Sequence, residues 1–189
     1  MAGDYYHTEE SVKQYIELAR DVSGARIVEK LKVFLPEGSK VLELGSGPGT
    51  DYGLLSKHYK TVGSDNSKVF LNHLKTKYPN GDFLELDAVT VKTGNTFDGI
   101  YSNKVMHHLE DNAFIESIKR QYEVLKPDGI MCHTFWKGTG SEIFKGLFVN
   151  YHTNESLKKA LGAHFEILHL DQYKEFDEND SLILIAKKN

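Results

Sequence analysis

A chain of 189 residues, 40% hydrophobic and 26% charged, has the size and composition of one globular domain able to bury a sizeable core. The net charge of −4 is mild and no long basic run occurs, which argues against a nucleic-acid backbone as partner. No apolar stretch nears the roughly 20 residues that a bilayer crossing needs, no signal-peptide pattern opens the chain, and the single cysteine, Cys132, excludes an intrachain disulfide or a cysteine-based zinc cluster. The expectation is a cytoplasmic single-domain protein, monomeric or homodimeric, with no membrane or nucleic-acid partner.

Thr8 caps a predicted helix from Glu9 to about Arg20, with Glu9 and Glu10 in its favourable first turn. Val12, Tyr15, Ile16 and Ala19 share one face of it. A second helix carries Ile27, Val28, Leu31 and Phe34, and Pro36-Glu37-Gly38 turns the chain into the first strand. Residues 1–37 thus read as a helical cap ahead of a core over 38–189. Val41 to Leu44 is a strand that runs straight into Gly45, Gly47 and Gly49 and restarts as a helix from Asp51 to about Tyr59. Glycine supplies positive φ and lets the backbone approach something closely. The helix N-terminus adds unpaired N–H groups and the positive end of its dipole, so the stretch is a ligand cradle. Glu43, inside the strand, is a carboxylate that needs a reason to be there. The spacing is Gly-x-Gly-x-Gly, not the Gly-x-Gly-x-x-Gly of nicotinamide and flavin binders. The bland alternative is a tight turn with no ligand.

Thr61 to Asp65 reads as a strand, and Ser67 caps a helix bearing Phe70, Leu71 and Leu74 that ends near Tyr78. Pro79-Asn80-Gly81 is a turn, followed by strands over Phe83 to Asp87 and Phe97 to Ser102. Ile115, Ile118, Tyr122 and Leu125 mark a helix closed by Lys126-Pro127-Asp128-Gly129, and Ile130 to Trp136 is the next strand. Lys137 to Gly146, rich in glycine, reads as a mobile wall or a connector. Thr153 or Asn154 caps a helix to about Leu161. Phe165 to Tyr173 and Ser181 to Lys187 are two strands joined by the acidic turn Glu175 to Asp180, too short for anything but an antiparallel pairing. Strands alternating with helices predict an α/β doubly wound, mainly parallel sheet covered on both faces.

In such sheets ligands bind beyond the carboxyl ends of the strands. There the chain places Gly45, Ser46 and Gly47; then Asp65 and Asn66; then Asp87 and Ala88; then Ser102 and Asn103, with Met106, His107 and His108 beyond. Asp65, about twenty residues past the loop, suits both hydroxyls of a ribose. Each acid alone can merely cap a helix or end a strand, but two acids and a glycine loop on successive strand ends describe a nucleoside pocket.

The chain resembles the class I S-adenosylmethionine-dependent methyltransferases, particularly the small-molecule type. The resemblance rests on Val41 to Asp51, Gly63-Ser64-Asp65-Asn66-Ser67, Phe83 to Ala88, Phe97 to Leu109 and Leu125 to Gly129. It implies a Rossmann-like seven-stranded sheet ending in an antiparallel hairpin, and S-adenosyl-L-methionine as cofactor with S-adenosyl-L-homocysteine as product. It also implies the glycine loop against the methionine part, an acid placed like Asp65 on the ribose, and one placed like Asp87 on the adenine amino group. The expected cofactor site is therefore Glu43, Gly45, Ser46, Gly47, Gly49, Asp65, Asn66, Asp87, Ala88, Ser102 and Asn103. Methyl transfer from a sulfonium demands alignment above all, with a base only where the acceptor holds a proton. His107 is the candidate base; Tyr5 and Tyr6, with His7, and Trp136 are candidate acceptor-lining residues. His133, within a strand, reads as a satisfied core histidine. Adjacent histidines point apart on a helix and suggest no metal site. Ser102-Asn103-Lys104-Val105 lacks the Pro-Pro-aromatic sequence of many base-amino methyltransferases, which argues against nucleic-acid amine methylation; the leading expectation is a small metabolite methylated on O or N. The alternatives are a non-catalytic S-adenosylmethionine-binding protein and a nicotinamide-dependent oxidoreductase; the glycine spacing and the terminal hairpin point away from the latter.

Overall fold

The computed structural model describes residues 6, 8–20, 22–144 and 146–189. Its helices are α1 (Glu9–Leu18), α2 (Ala25–Leu31), α3 (Thr50–Leu55), α4 (Lys68–Lys77), α5 (Asp111–Val124) and α6 (Asn154–Leu161). Its strands are β1 (Lys40–Leu44), β2 (Lys60–Asp65), β3 (Asp82–Glu85), β4 (Phe97–Asn103), β5 (Leu125–Trp136), β6 (Ser141–Phe144), β7 (Leu147–Asn150), β8 (Phe165–Tyr173) and β9 (Ser181–Lys188). Seven of these form one sheet in the order β3-β2-β1-β4-β5-β9-β8. The first five pair in parallel, while β9 runs antiparallel to both β5 and β8. This is the mainly parallel sheet with an antiparallel terminal pair that the strand pattern predicts, in the Rossmann-like layout that the resemblance implies.

Two apolar layers sandwich the sheet. Leu42 and Leu44 of β1 pack with Ile100, Met131, Phe114, Ile118 and Leu157 on the α5–α6 face. Val41, Tyr101 and Cys132 pack with Ile27, Leu31 and Leu55 on the α2–α3 face. Alternate residues of each central strand therefore enter opposite cores, which is why these strands read as nearly continuous apolar runs.

Local chemistry sets the element ends. Thr8 and Ser67 cap α1 and α4 by accepting from the N–H groups of Ser11 and Phe70. Thr153 forms a reciprocal capping box with Ser156 on α6. Gly49, at φ +77, precedes α3 in the left-handed region.

Two expectations change. β5 does not begin at Ile130: it starts with Leu125 opposite Phe97, and the Lys126–Gly129 turn is absorbed as an irregularity before Gly99 pairs Ile130. The segment read as a loop between Lys137 and Gly146 instead supplies β6, which pairs with β7 from Ser141↔Asn150 to Phe144↔Leu147. Every residue of β6 is exposed, so it has no buried face and no alternation to betray it.

Candidate active site

Strand order reverses between β1 and β4, and beyond their carboxyl ends lies a cavity of about 470 Å³. Gly45 and Gly47 form its floor where β1 stops. Gly45 takes φ +67, and a Cβ there would lie 2.7 Å from Val105 Cγ2, so the loop after β4 closes directly onto it. At Gly47, φ +46, the nearest atom to an added Cβ is Tyr15 Cε1 at 4.0 Å, which leaves a bare backbone face open to a ligand.

Glu43 is 3% exposed and sits between Gly63 of β2 and Tyr101 of β4. Ser46 Oγ donates to its carboxyl at 2.5 Å and accepts from the Ser64 N–H at 3.1 Å. Burial first, then the neighbouring charges of Asp51 and Asp65, push its pKa up to about 8 against the Ser46 hydrogen bond. Glu43 thus keeps a proton at neutral pH while Asp51 is held by three donors. Those are the Gly24 N–H at 2.8 Å, Tyr101 OH at 2.6 Å and Asn103 Nδ2 at 3.0 Å. Asn103 Oδ1 in turn accepts from Thr134 Oγ1 at 2.6 Å, which ties the tip of β4 to β5.

At the third strand end Asp87 is exposed, and its Oδ1 accepts from the N–H groups of Val89 at 2.7 Å and Thr90 at 3.0 Å. Its Oδ2 has no hydrogen bond among the described residues. Tyr6, Tyr15 and Phe70 close the mouth as an aromatic trio with ring centroids 5.2 to 5.9 Å apart. Ser67, the cap of α4, also donates to the Tyr6 carbonyl at 2.5 Å and ties Tyr6 beside the cavity.

Of the residues expected at the site, Tyr6, Glu43, Gly45, Ser46, Gly47, Asn66, Asp87, Ala88 and Asn103 line this one cavity. Five others do not. Asp65 turns its carboxylate onto the loop, accepting from the Gly47 N–H at 3.0 Å and the Ser67 N–H at 2.9 Å, so it braces the cradle rather than facing it. Gly49 packs against α4, where a Cβ would lie 2.6 Å from Leu74 Cδ2. Ser102 points into the α5 face, with its Oγ 2.8 Å from His133 Nδ1. Trp136 lies behind the wall, stacked on Phe176 at 5.8 Å. His107 is 3% exposed and burial holds its pKa well below the usual imidazole range. Tyr5 and His7 lie outside the described residues. His133 is a satisfied core histidine: Gln121 Oε1 lies 2.7 Å from its Nε2, and burial lowers its pKa to about 3.

The correction at His107 has a geometric cause. Met106–His108 is a 3-10 turn, which rotates His108 rather than His107 to the cavity wall. His108 Nδ1 lies 2.8 Å from the Phe148 carbonyl of β7 and must donate to it, which leaves Nε2 as the unprotonated nitrogen. Asn150 of the same strand donates to the Leu109 carbonyl at 3.3 Å and to Asp111 at 2.8 Å, so the hairpin clamps the turn. Asp51, Lys104 and His108 are the wall residues that motif reading left without a role. No spacing rule separates two adjacent histidines, and the partners of Asp51 are up to 52 positions away.

An adenosine-bearing sulfonium fits this lining: an open glycine face, a free carboxylate oxygen on Asp87, acids at the floor and aromatic rings at the mouth. Residues 41–129 match the family model described as a methyltransferase domain. The chain thus carries a methyltransferase domain and resembles the class I S-adenosylmethionine-dependent methyltransferases.

Among known proteins, it is 31% identical over 138 residues to a malonyl-acyl-carrier-protein O-methyltransferase of Calditerrivibrio nitroreducens, covering 70% of this chain and 54% of that one. It is 32% identical over 104 residues to a trans-aconitate 2-methyltransferase of Variovorax paradoxus, covering 53% of this chain and 39% of that one. The chain thus spans about half, or less, of the length of these relatives. Among solved structures, the 1,6-didemethyltoxoflavin-N1-methyltransferase of Burkholderia thailandensis superposes with a TM-score of 0.79 at 18% identity, over 95% of this chain and 84% of that one. That likeness is one of fold. Among the described residues no helix is long and apolar enough to cross a membrane.

Proposed function

We propose that this protein transfers a methyl group to an oxygen or nitrogen of a small metabolite. The observation that carries this is the convergence of the bare Gly47 face, Asp87 and the His108 ring on one cavity at the strand-order reversal. When bound, S-adenosylmethionine supplies an activated methyl group whose leaving group is a neutral thioether. Asp87 Oδ2 would hold the adenine amino group, Asn66 the ribose, and the Gly45–Gly47 loop with Glu43 the methionine end. Asp65 acts at one remove by fixing the loop. The Tyr6–Tyr15–Phe70 trio excludes water and presents aromatic faces that favour a cation. His108, neutral through burial and locked by the Phe148 carbonyl with Nε2 free, would take the acceptor's proton. The largely buried β7 strand of the β6–β7 hairpin, through that carbonyl, sets the base.

The mild negative charge supports a small acceptor over a nucleic acid, with residues 1–37 capping one cytoplasmic domain, monomeric or homodimeric. Acceptors of the kind named for the relatives, malonyl-acyl-carrier protein and trans-aconitate, are the first to try.

The test is isothermal titration with S-adenosylmethionine and S-adenosylhomocysteine, then transfer of a radiolabelled methyl group into a pooled metabolite extract. His108→Ala should bind S-adenosylhomocysteine normally yet transfer methyl groups about 100-fold more slowly, whereas His107→Ala should lose stability more than rate. Saturable binding with no transfer to any metabolite would leave a non-catalytic binding protein in its place.

A further inference from the structure

Behind the cavity runs a line of buried polar side chains that the transfer step does not use: Ser102 of β4, His133 of β5, and Gln121 and Ser117 of α5. Ser102 Oγ lies 2.8 Å from His133 Nδ1, and His133 Nε2 lies 2.7 Å from Gln121 Oε1. Gln121 Nε2 donates to Ser117 Oγ at 3.1 Å, and Ser117 Oγ donates to the Ala88 carbonyl at 2.5 Å. A carbonyl can only accept, so the Ser117 proton is committed to Ala88 and its oxygen is left to accept from Gln121. Gln121 Oε1 must then accept from His133 Nε2–H, and His133 Nδ1 from the Ser102 hydroxyl. All the protons point one way, and such a line strengthens each of its bonds. It ends on Ala88, at the cavity wall, although Ser117 itself does not line the cavity.

The Ala88 carbonyl belongs to the peptide unit whose other end, the Val89 N–H, donates to Asp87 Oδ1 at 2.7 Å. A peptide unit is planar, so holding its carbonyl from α5 fixes the direction of its N–H and, through that bond, the plane of the Asp87 carboxylate. The turn needs such a hold. Val91 closes it by donating its N–H to the Asp87 carbonyl at 2.9 Å, and does so at φ +41, a conformation that a β-branched residue adopts only under constraint.

We propose that Ser117 is a positioning residue for the purine end of the cofactor: through the Ala88–Val89 peptide it holds Asp87 with Oδ2 available to the cavity, and so sets the preference for a purine that carries an amino group. This rests on reading the cavity as the S-adenosylmethionine site with Asp87 at the adenine. The competing account is a polar line that only satisfies itself within the core. The two differ in what they predict for ligands: a structural tie affects every ligand alike, whereas a tie on Asp87 affects only those that offer it a donor.

The experiment measures, by calorimetry on the full chain, dissociation constants of S-adenosylhomocysteine and of S-inosylhomocysteine, in which a keto oxygen replaces the purine amino group. The proteins are the wild type, Ser117→Ala, Asp87→Ala and the double variant. The wild type should prefer the adenine ligand by about 100-fold, since the analogue sets an acceptor against a carboxylate. Ser117→Ala should cut that preference to about tenfold, chiefly by weakening the adenine ligand. Asp87→Ala should nearly abolish it, and the double variant should match Asp87→Ala. Ser117→Cys, a near-isostere with a weaker donor, should fall between wild type and Ser117→Ala, and carries the test if the alanine variant does not fold. A wild-type preference in Ser117→Ala overturns the proposal. Equal weakening of both ligands also overturns it and leaves Ser117 a structural tie, as does a double variant that loses clearly more preference than Asp87→Ala. A wild type that binds both ligands equally shows instead that Asp87 does not meet the purine, and the proposal falls with that placement. If a folded wild type binds neither ligand, the cavity assignment itself fails.

Discussion

The two sides of the cavity are built from different materials. On the β1–β2–β3 side the surface is largely backbone: Gly45, Ser46 and Gly47, braced by Asp65 within 18 residues of sequence. On the β4–β5 side it is made of side chains oriented by distant partners: Asn103 by Thr134, Lys104 by Ser181, His108 by Phe148. Buried ionisable groups follow the same division. Glu43 on the first side retains its proton, whereas His107, His133 and His152 on the second stay neutral through burial. A site with one generic ligand and one particular ligand would be divided this way. Backbone contacts suit the shared donor, and adjustable side chains suit the acceptor.

The largest test of this division is the dependence of stability on pH, because the two sides respond with opposite sign. His133 titrates at about 3 when folded and near 6.5 when unfolded, so the stability it contributes is full above 6.5 and lost as pH falls toward 3. A shift of this size in one fully buried group corresponds to on the order of 4 kcal/mol. Glu43 does the reverse: its contribution is full below 4.5 and lost as pH rises through about 8. Urea denaturation between pH 3.5 and 9 should therefore show stability rising from the acid side and sagging above pH 6.5. His133→Gln should flatten the acid limb and Glu43→Gln the alkaline one. Unchanged limbs in both variants would erase the electrostatic contrast.

Next in size, Gly45→Ala should cost about 2–4 kcal/mol, since it sets a Cβ at positive φ against Val105 where the two sides meet. A melting temperature within a degree of wild type would mean that the loop after β4 yields freely. Smallest, Asp87→Ala should weaken S-adenosylhomocysteine binding by about 1–2 kcal/mol through a lost hydrogen bond to a charged acceptor, with little change in stability because Asp87 is exposed. Unchanged affinity by calorimetry would remove Asp87 from the adenosine end.

Legibility followed the same line. Gly45, Gly47, Asp87 and the antiparallel β8–β9 pair were readable because their causes are local: a turn needing positive φ, an acid at a strand end, a connection too short to cross over. Asp65 shows the limit of that logic, since its position is as expected but its oxygens are taken by the backbone of Gly47 and Ser67. Ser102 and Trp136 fell on the expected strand ends and yet face away from the cavity, because facing depends on strand parity and on what packs behind. β6 escaped notice because it buries nothing.

The amino-acid sequence by itself determined the sheet and the glycine cradle, because strand periodicity, turn stereochemistry and helix termini act over a few bonds. Only the tertiary structure decided which histidine meets the cavity, which acid keeps its proton and where the Lys104 ammonium rests. Those outcomes depend on one turn of 3-10 backbone, on burial, and on hydrogen-bond partners 40 to 77 residues away, and no local rule carries that information.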